Sequence, residues 1–571
     1  MEPMVLVLGA VALIVACAVF SRRTGIASPL ILLLVGIAIS YTPIVPDFEV
    51  DPEWILAGVL PPLLYSAAVN VPVMDLRRNL KPIAGLSVTL VLLTSVATGY
   101  VIYWLIPDLN LAASIALGAV ISPTDAVAAT SIGKRLGLPS RLVTVLEGES
   151  LVNDASALVL LRSAVAATAG SVSLLAVAGD FLYAVAAAVL VGLVIGWVSV
   201  TVRARLNDPV LTTTVSFIVP FIAFIPAEEI GASGVLAVVV AGLVTGHRGA
   251  RQLAATERIS EHTNWMTVQF VLEHGVFLLM GLEIRGLVQE ASNEGGGLDQ
   301  AVLIGLLLTV LVVVLRFAFV IPQMALIRRD ERRQLGRQEV LDEARAKIEA
   351  YAPSDARMAR RKSRAQRGIA QRSADLAFVE KQGLSLKGSV IIGWAGMRGV
   401  VTLAAAQSLP SDIPNRALLI LVAFTVAVVT LLGLGGSLPL IIRLSKIQGD
   451  DRDVHRTEVR SLLQQANDAA LSVLDDPEGI RIDGVEVAPE VVEHVRKNHT
   501  RVGEVATKTR DPRRANARTQ QIVLERRMLE AARNELLDAR AIGAHSSKAI
   551  QKAQSVFDVE EYRLDRMSRK A

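Results

Sequence analysis

The chain has 571 residues, 52% of them hydrophobic, 20% charged and 4% aromatic, with a formal net charge of +4 and a mean hydropathy of +0.47. Its 41 glycines, 23 prolines and single cysteine exclude collagen-like, disordered and disulfide-rich secreted classes, and the lone Cys17 rules out a disulfide framework or a cysteine-based zinc site. Soluble chains carry about a quarter charged residues, so this composition points instead to an integral membrane protein.

A hydrocarbon core about 30 Å thick needs roughly 20 apolar residues as a helix. In chain order, such segments fall near 3–20, 27–45, 54–71, 83–106, 110–132, 140–169, 174–200, 209–227, 232–246, 262–289, 299–328, 386–409 and 414–445. They predict an all-α polytopic membrane protein with about thirteen transmembrane helices. The eighth and ninth segments crowd around Pro220, Pro226 and Glu228–Glu229. The first is not a cleaved signal peptide, because Glu2 precedes it and Arg22 and Arg23 follow it, the reverse of a signal sequence.

The distribution of cations orients the segments. Alternate loops hold Arg22/Arg23, Arg77/Arg78/Lys81, Lys134/Arg135/Arg141, Arg203/Arg205 and Arg248/Arg251/Arg258, and the same side receives 329–385 and everything after 446. The intervening loops hold Asp47, Glu49, Asp51, Glu53, Asp108, Glu228/Glu229 and Glu290/Glu294/Asp299, with Arg416 as the exception. The positive-inside rule then places the amino terminus outside and the carboxyl terminus in the cytoplasm of a plasma (inner) membrane protein.

Three parts follow: a transmembrane domain over 1–445, a basic cytoplasmic insertion over 329–385 within it, and a helical cytoplasmic C-terminal domain over 446–571. The tail has helical periodicity at Val459, Leu462, Leu463 and Ala466, and again at Leu529, Ala532, Leu536 and Leu537. Acidic residues such as Asp330, Glu331, Asp342, Glu343 and Glu349 are interspersed in the insertion, which favours a solvated or lipid-facing surface over nucleic-acid binding.

Ionisable groups inside a span cost about 2.5–3.5 kcal/mol at a helix centre and mark function by default. The fifth segment contains Ser122-Pro123-Thr124-Asp125, where proline removes a donor and interrupts the helix. Its freed carbonyls and Asp125 could hold a cation; a kink with Asp125 as a plain N-cap is the alternative. The sixth contains Glu149 and Asn153, and Ser150 and Asp154, each pair spaced by four and so on adjoining parts of one helix surface. Hard oxygen donors of this kind suit alkali cations and protons. Desolvation disfavours the charged form of a buried Asp154, so it can exchange a cation for a proton; the alternative is a structural polar network. The twelfth segment places Arg398 among Gly393, Gly396 and Gly399, with Glu149 as its expected partner. In the tenth, Glu273 and His274 are candidates for pH sensing, the alternative for His274 being a satisfied histidine in a helix contact, and Glu283 and Arg285 follow near the outer interface. The interrupted segments fall fifth and twelfth, as inverted repeats of spans 1–6 and 8–13 would place them, crossing near the bilayer midplane.

At these residues the chain resembles the monovalent cation:proton antiporter-1 family, the NhaP and NHE-type sodium/proton exchangers. The matching stretches are Ser122-Pro123-Thr124-Asp125, Glu147-Gly148-Glu149-Ser150-Leu151-Val152-Asn153-Asp154-Ala155 and Gly396-Met397-Arg398-Gly399, and the similarity covers about 1–445. The resemblance implies a homodimer with a moving core, Asp154 as the main ion- and proton-binding carboxylate, and Asp125, Ser150 and Thr124 completing a Na+ site. It gives Asn153 the role of stabilising the helix crossing and Glu149 with Arg398 that of a supporting ion pair. Asn153 ahead of Asp154 is the pattern of electroneutral exchangers. The chain departs from many bacterial members at Ser66, where they carry a carboxylate, and in its long insertion.

The resulting expectation is a secondary active antiporter exchanging Na+ or Li+ for H+, with no cofactor, no nucleic-acid partner and membrane lipids around it. A K+/H+ antiporter with the same site is the near rival. A passive cation channel and a sensor working through the tail are more distant. An enzyme is disfavoured, since no GxSxG, HExxH or nucleotide-binding loop is present.

Overall fold

The structure is a computed structural model. It describes residues 3–447 apart from 25, 43–50, 169–173, 207, 294–296, 337–342, 345, 349, 352–354 and 382, together with 449, 481–482, 485–486, 489 and 493. The chain divides into two units, Met1–Asp450 and Asp451–Ala571.

The first unit is helical among the described residues. Its helices are α1 (Pro3–Thr24), α2 (Ser28–Ser40), α3 (Trp54–Asn70), α4 (Val73–Arg78), α5 (Leu80–Leu105), α6 (Leu111–Ile121), α7 (Val127–Leu136) and α8 (Ser140–Thr168). Then come α9 (Leu174–Arg203), α10 (Pro209–Glu229), α11 (Gly234–Gln252), α12 (Ala255–Leu282), α13 (Ile284–Asn293), α14 (Leu298–Leu335), α15 (Ala356–Lys381), α16 (Leu386–Trp394), α17 (Val400–Gln407) and α18 (Arg416–Ser445). Among the described residues seven helices are long and apolar enough to cross a membrane, and four shorter apolar ones accompany them.

Local chemistry sets several boundaries. Asn110 accepts from the Ala113 amide to cap α6, Asp208 accepts from Val210 and Leu211 to start α10, and Ser385 accepts from Gly388 to start α16. Helix α10 runs through both Pro220 and Pro226, and Gly231, at φ 74°, turns the chain into α11. The fifth and twelfth predicted segments are each broken in two, as α6 and α7 and as α16 and α17.

Side chains pack into two main clusters. One joins α2, α5, α6, α14 and α16 to α18; the other joins α3, α10 and α11 around Tyr65 and Trp265. Helix α8 contributes to both, with Leu146 and Leu161 in the first and Leu151 and Ala155 in the second. The polar residues of α8 therefore lie where two separately packed groups of helices meet. Apolar side chains on α9, such as Leu190 and Val194, and on α14, such as Leu303 and Val310, remain exposed, as lipid-facing surfaces are.

In the insertion, α14 continues to Leu335 and α15 is helical. The helical periodicity read at 459–466 and 529–537 lies outside the described residues. In the second unit the described residues include a short antiparallel pair, Arg481–Ile482 with Val485–Glu486.

Candidate ion-binding site

The site begins with two broken helices. Helix α6 stops at Ile121, and Pro123, lacking an N–H, keeps the chain from continuing as one helix until Val127. Helix α16 stops at Trp394, before Gly396-Met397-Arg398-Gly399. The two interruptions are tied directly, since the Asp125 amide donates to the Met397 carbonyl at 2.7 Å. The Asp125 carboxylate accepts from the Val127 amide at 2.8 Å and so sits over the amino end of α7. A Cβ at Gly399 would stand within 3 Å of Cβ and Cγ of Asp125, so only glycine lets the two breaks approach.

Arg398 is buried, and its guanidinium serves carbonyl oxygens. Nε donates to Ile121 at 2.9 Å, Nη2 to Ser122 at 3.4 Å, and Nη1 to Gly396. It therefore satisfies the carbonyls left over where α6 ends and places positive charge at the negative end of that half-helix. The expected ion pair between Arg398 and Glu149 is not formed. Glu149 is held instead by Arg316 of α14 in a two-pronged pair, Nη1 to Oε1 at 2.5 Å and Nη2 to Oε2 at 2.9 Å. Both partners are buried, and Arg316 also donates from Nε and Nη2 to the Ile392 carbonyl. The planar fork matches a carboxylate, whereas Arg398 is already occupied by carbonyls. Gly396 makes room for this, because a Cβ there would collide with Cδ and Nε of Arg316 at 2.5 and 2.7 Å.

Arg316 is the functional residue that sequence reasoning missed. The signal was present: it is the one charged residue between Asp299 and Arg328 in an otherwise apolar segment.

Thr124 links the ion pair to the broken helix. Its Oγ1 donates to Glu149 Oε1 at 2.9 Å and accepts from Asn153 Nδ2 at 2.9 Å, while Asn153 Nδ2 also donates to the Thr124 carbonyl at 3.0 Å. Asn153 Oδ1 is buried with no donor among the described residues. Ser150 Oγ accepts from the Ala126 amide at 3.4 Å. Thus Thr124, Asp125, Glu149, Ser150 and Asn153 are brought together, and the backbone of 124–126 is fastened to one side of α8.

Asp154 is buried, and no side chain or backbone group among the described residues hydrogen-bonds its carboxylate. It lines a narrow, mainly apolar crevice with Pro123, Ala157 and Leu158 on one side and Val401 and Ala405 of α17 on the other. Asp125 is close enough for the two charges to interact. Two carboxylates with few partners in a low-dielectric wall cannot both remain charged and bare; a cation or a proton has to accompany them.

The remaining candidates lie on α12. Glu273 is half-buried and interacts with Asp125 and with Gln269, which accepts from Ser66 Oγ at 3.1 Å. His274 bonds through Nδ1 to the Phe270 carbonyl at 2.8 Å and stacks on the Phe270 ring at 4.2 Å, the surroundings of a helix-packing histidine. Glu283 is buried and accepts from Gln407 at 3.0 Å. Among the described residues no group of three or more His, Cys, Asp or Glu is placed to hold a resident metal.

Comparison with known proteins places the chain in a family. Residues 9–444 match the family described as sodium/hydrogen exchanger, transmembrane. The chain belongs to the sodium/hydrogen exchanger family: it is a secondary transporter of monovalent cations and protons, not an enzyme, and its substrates are the transported ions with no cofactor. Among its relatives is an uncharacterised Na+/H+ exchanger of Mycobacterium bovis, 30% identical over 87% of this chain and 83% of the relative. The Na+/H+ antiporter NhaH of Halobacillus dabanensis is 31% identical over 73% of this chain and 91% of its own length. A sodium, potassium, lithium and rubidium/H+ antiporter of Bacillus pumilus is 28% identical over 83% of this chain and 69% of the relative. The fold is shared with the sodium proton antiporter MjNhaP1 of Methanocaldococcus jannaschii, at a TM-score of 0.56 and 15% identity over 78% of this chain and 100% of that one.

Proposed function

We propose that the chain exchanges Na+ or Li+ for H+ one for one across the plasma membrane, with cation and proton competing at Asp154. The observation that carries this reading is a buried carboxylate without a hydrogen-bond partner among the described residues, beside two helix breaks tied by the Asp125–Met397 hydrogen bond. Asp154 binds the passenger, Asp125 and Ser150 add oxygens, and the Thr124 backbone completes the shell. Asn153 fixes Thr124, and the Glu149–Arg316 pair and Arg398 hold the frame. The donorless Oδ1 of Asn153 adds to the surplus of acceptors that suits a cation. Glu273 and His274 are the candidates for pH response.

The transport cycle follows from electrostatics. An empty, charged site is too costly to carry past apolar walls such as Leu158, Val401 and Ala405, whereas a site neutralised by Na+ or H+ is not. Alternation between two occupied states couples the fluxes without ATP.

Thirteen spans fit this reading: the seven long and four shorter apolar helices, with α12 and the α16–α17 pair. We place the amino terminus outside and the carboxyl terminus in the cytoplasm. The domains would be 1–445 for transport, with the insertion 329–385, and 446–571 as a cytoplasmic domain. The working unit would be a homodimer.

The test is sodium-driven proton movement in proteoliposomes. The wild type should move protons against imposed Na+ and Li+ gradients without generating a membrane potential, and lowering the pH should raise the apparent KM for Na+. Asp154→Asn should abolish both fluxes. Equal exchange by that variant would show that passenger binding does not depend on Asp154. A response to K+ equal to that to Na+ would favour the broader selectivity that the name of the Bacillus pumilus relative states.

A further inference from the structure

Helix α15 carries a charge gradient that the transport site does not use. From Ala356 to Ala374 it holds seven basic residues and no acidic one, whereas Asp375 and Glu380 follow. Arg357, Arg360, Arg361, Arg364 and Arg372 are exposed. Beside them the Tyr351 hydroxyl meets the Met358 sulfur at 3.0 Å, and both side chains remain exposed, at 49% and 37%. Lys362 Nζ donates to the Tyr351 carbonyl at 2.6 Å, fixing that residue against the helix. A phenol ring and a thioether flanked by guanidinium groups match a headgroup layer, where the apolar parts sink and the cations meet phosphates. One acid stands at this end, the exposed Asp355, which caps the helix by accepting from the Met358 amide at 2.6 Å; the seven bases that follow outnumber it.

The opposite end of α15 is anchored to the first unit. Asp375 accepts from Arg77 at 2.9 Å and from Arg78 at 2.7 Å. The Phe378 ring lies against the guanidinium groups of Arg78 and Arg141, at 4.8 and 5.4 Å, and Leu376 is buried. Arg141 is buried, donates to Asn79 at 2.9 Å and to Glu331 at 2.6 Å, and lies in the first turn of α8, the helix of Glu149 and Asp154. Fifteen residues of helix separate Arg360 from Asp375, about 22 Å at the rise of an α-helix, so this clamp does not reach the basic end.

We propose that Tyr351 and the basic end of α15 form a docking surface for anionic phospholipid of the bilayer in which the protein sits, and that the Asp375–Phe378 clamp ties this contact to the start of α8. Lipid is favoured over a soluble polyanion because the Tyr351 ring and the Met358 thioether stand exposed among these arginines, and a polyanion in water offers nothing apolar for them to enter. Each arginine near anionic lipid would contribute about 1 kcal/mol, about a fivefold gain in association.

The test uses the full chain with Cys17→Ser and Met358→Cys, labelled at 358 with an environment-sensitive fluorophore, in nanodiscs of neutral phosphatidylcholine or with about a third phosphatidylglycerol. A blue shift is expected in the anionic discs alone, reversed by salt at a concentration that screens within a few ångströms. The quadruple variant R357Q/R360Q/R361Q/R364Q should lose the shift, and the matching lysine variant should keep it. The same emission in both discs would overturn the proposal, as would a shift produced in neutral discs by inorganic polyphosphate or RNA but not by anionic lipid. The readout involves no transport, so its outcome is independent of the exchange activity proposed above.

Discussion

Replacing Arg316 by methionine tests the frame of the site most directly. The change keeps an unbranched stem of similar bulk and removes the guanidinium. Glu149, 2% exposed, is left with Thr124 as its side-chain donor, and the Ile392 carbonyl loses both Arg316 bonds. Removing one partner of a buried pair costs about 3–5 kcal/mol, because a desolvated charge remains uncompensated. At about 1.4 kcal/mol per tenfold, that shifts the folding equilibrium by roughly two to three and a half decades. Thermal unfolding in detergent, followed for Glu149→Gln, Arg316→Met and both together, gives the coupling between them. We expect the double variant to recover about 2–3 kcal/mol relative to the sum of the single changes. Glu149→Gln combined with Arg398→Met should show a smaller coupling than that pair, because Glu149 and Arg398 share no hydrogen bond and interact through charge alone. A loss below about 1 kcal/mol for Arg316→Met, or stronger coupling of Glu149 to Arg398 than to Arg316, would refute the assignment.

Gly399→Ala should push Asp125 from its place against the α16–α17 break, costing about 1–3 kcal/mol in unfolding assays and most of the flux in proteoliposomes. Thr124→Val removes the hydroxyl shared by Glu149 and Asn153; about 1–3 kcal/mol of stability and a raised KM for Na+ are expected, and an unchanged KM would detach Thr124 from the site. Asn153→Asp adds a carboxylate beside Asp154, so exchange should become sensitive to membrane potential, read with a potential dye. Arg398→Met leaves the carbonyls of Ile121 and Ser122 without their cation; transport should fall while the Glu149–Arg316 coupling energy persists.

Much of the fold was legible because its signals are local. Hydropathy over twenty residues marks a span wherever its neighbours lie, and Pro123 breaks a helix through its own missing N–H. Gly396 and Gly399 flagged the second break for a related reason, although their real task is to admit Arg316 and Asp125. The four polar residues of α8 announced themselves by spacing alone, and Thr124, Asp125, Ser150 and Asn153 do gather there. The identity of Glu149's partner was not legible. Several arginines satisfy a charge rule equally well, and Arg316 is 167 residues away from Glu149 in the chain.

The sequence by itself determined that this chain lives in a membrane, where its helices break, and which side chains are too polar to be there by accident. Each of those follows from short-range chemistry: apolar length, a missing donor, the cost of desolvating a charge. The tertiary structure alone decided which guanidinium answers which acceptor, that Asp154 is left to an apolar crevice, and that the insertion clamps onto Arg77, Arg78 and Arg141. Those outcomes depend on forks, rings and carbonyls meeting within a few ångströms, a geometry that exists only after distant helices have packed.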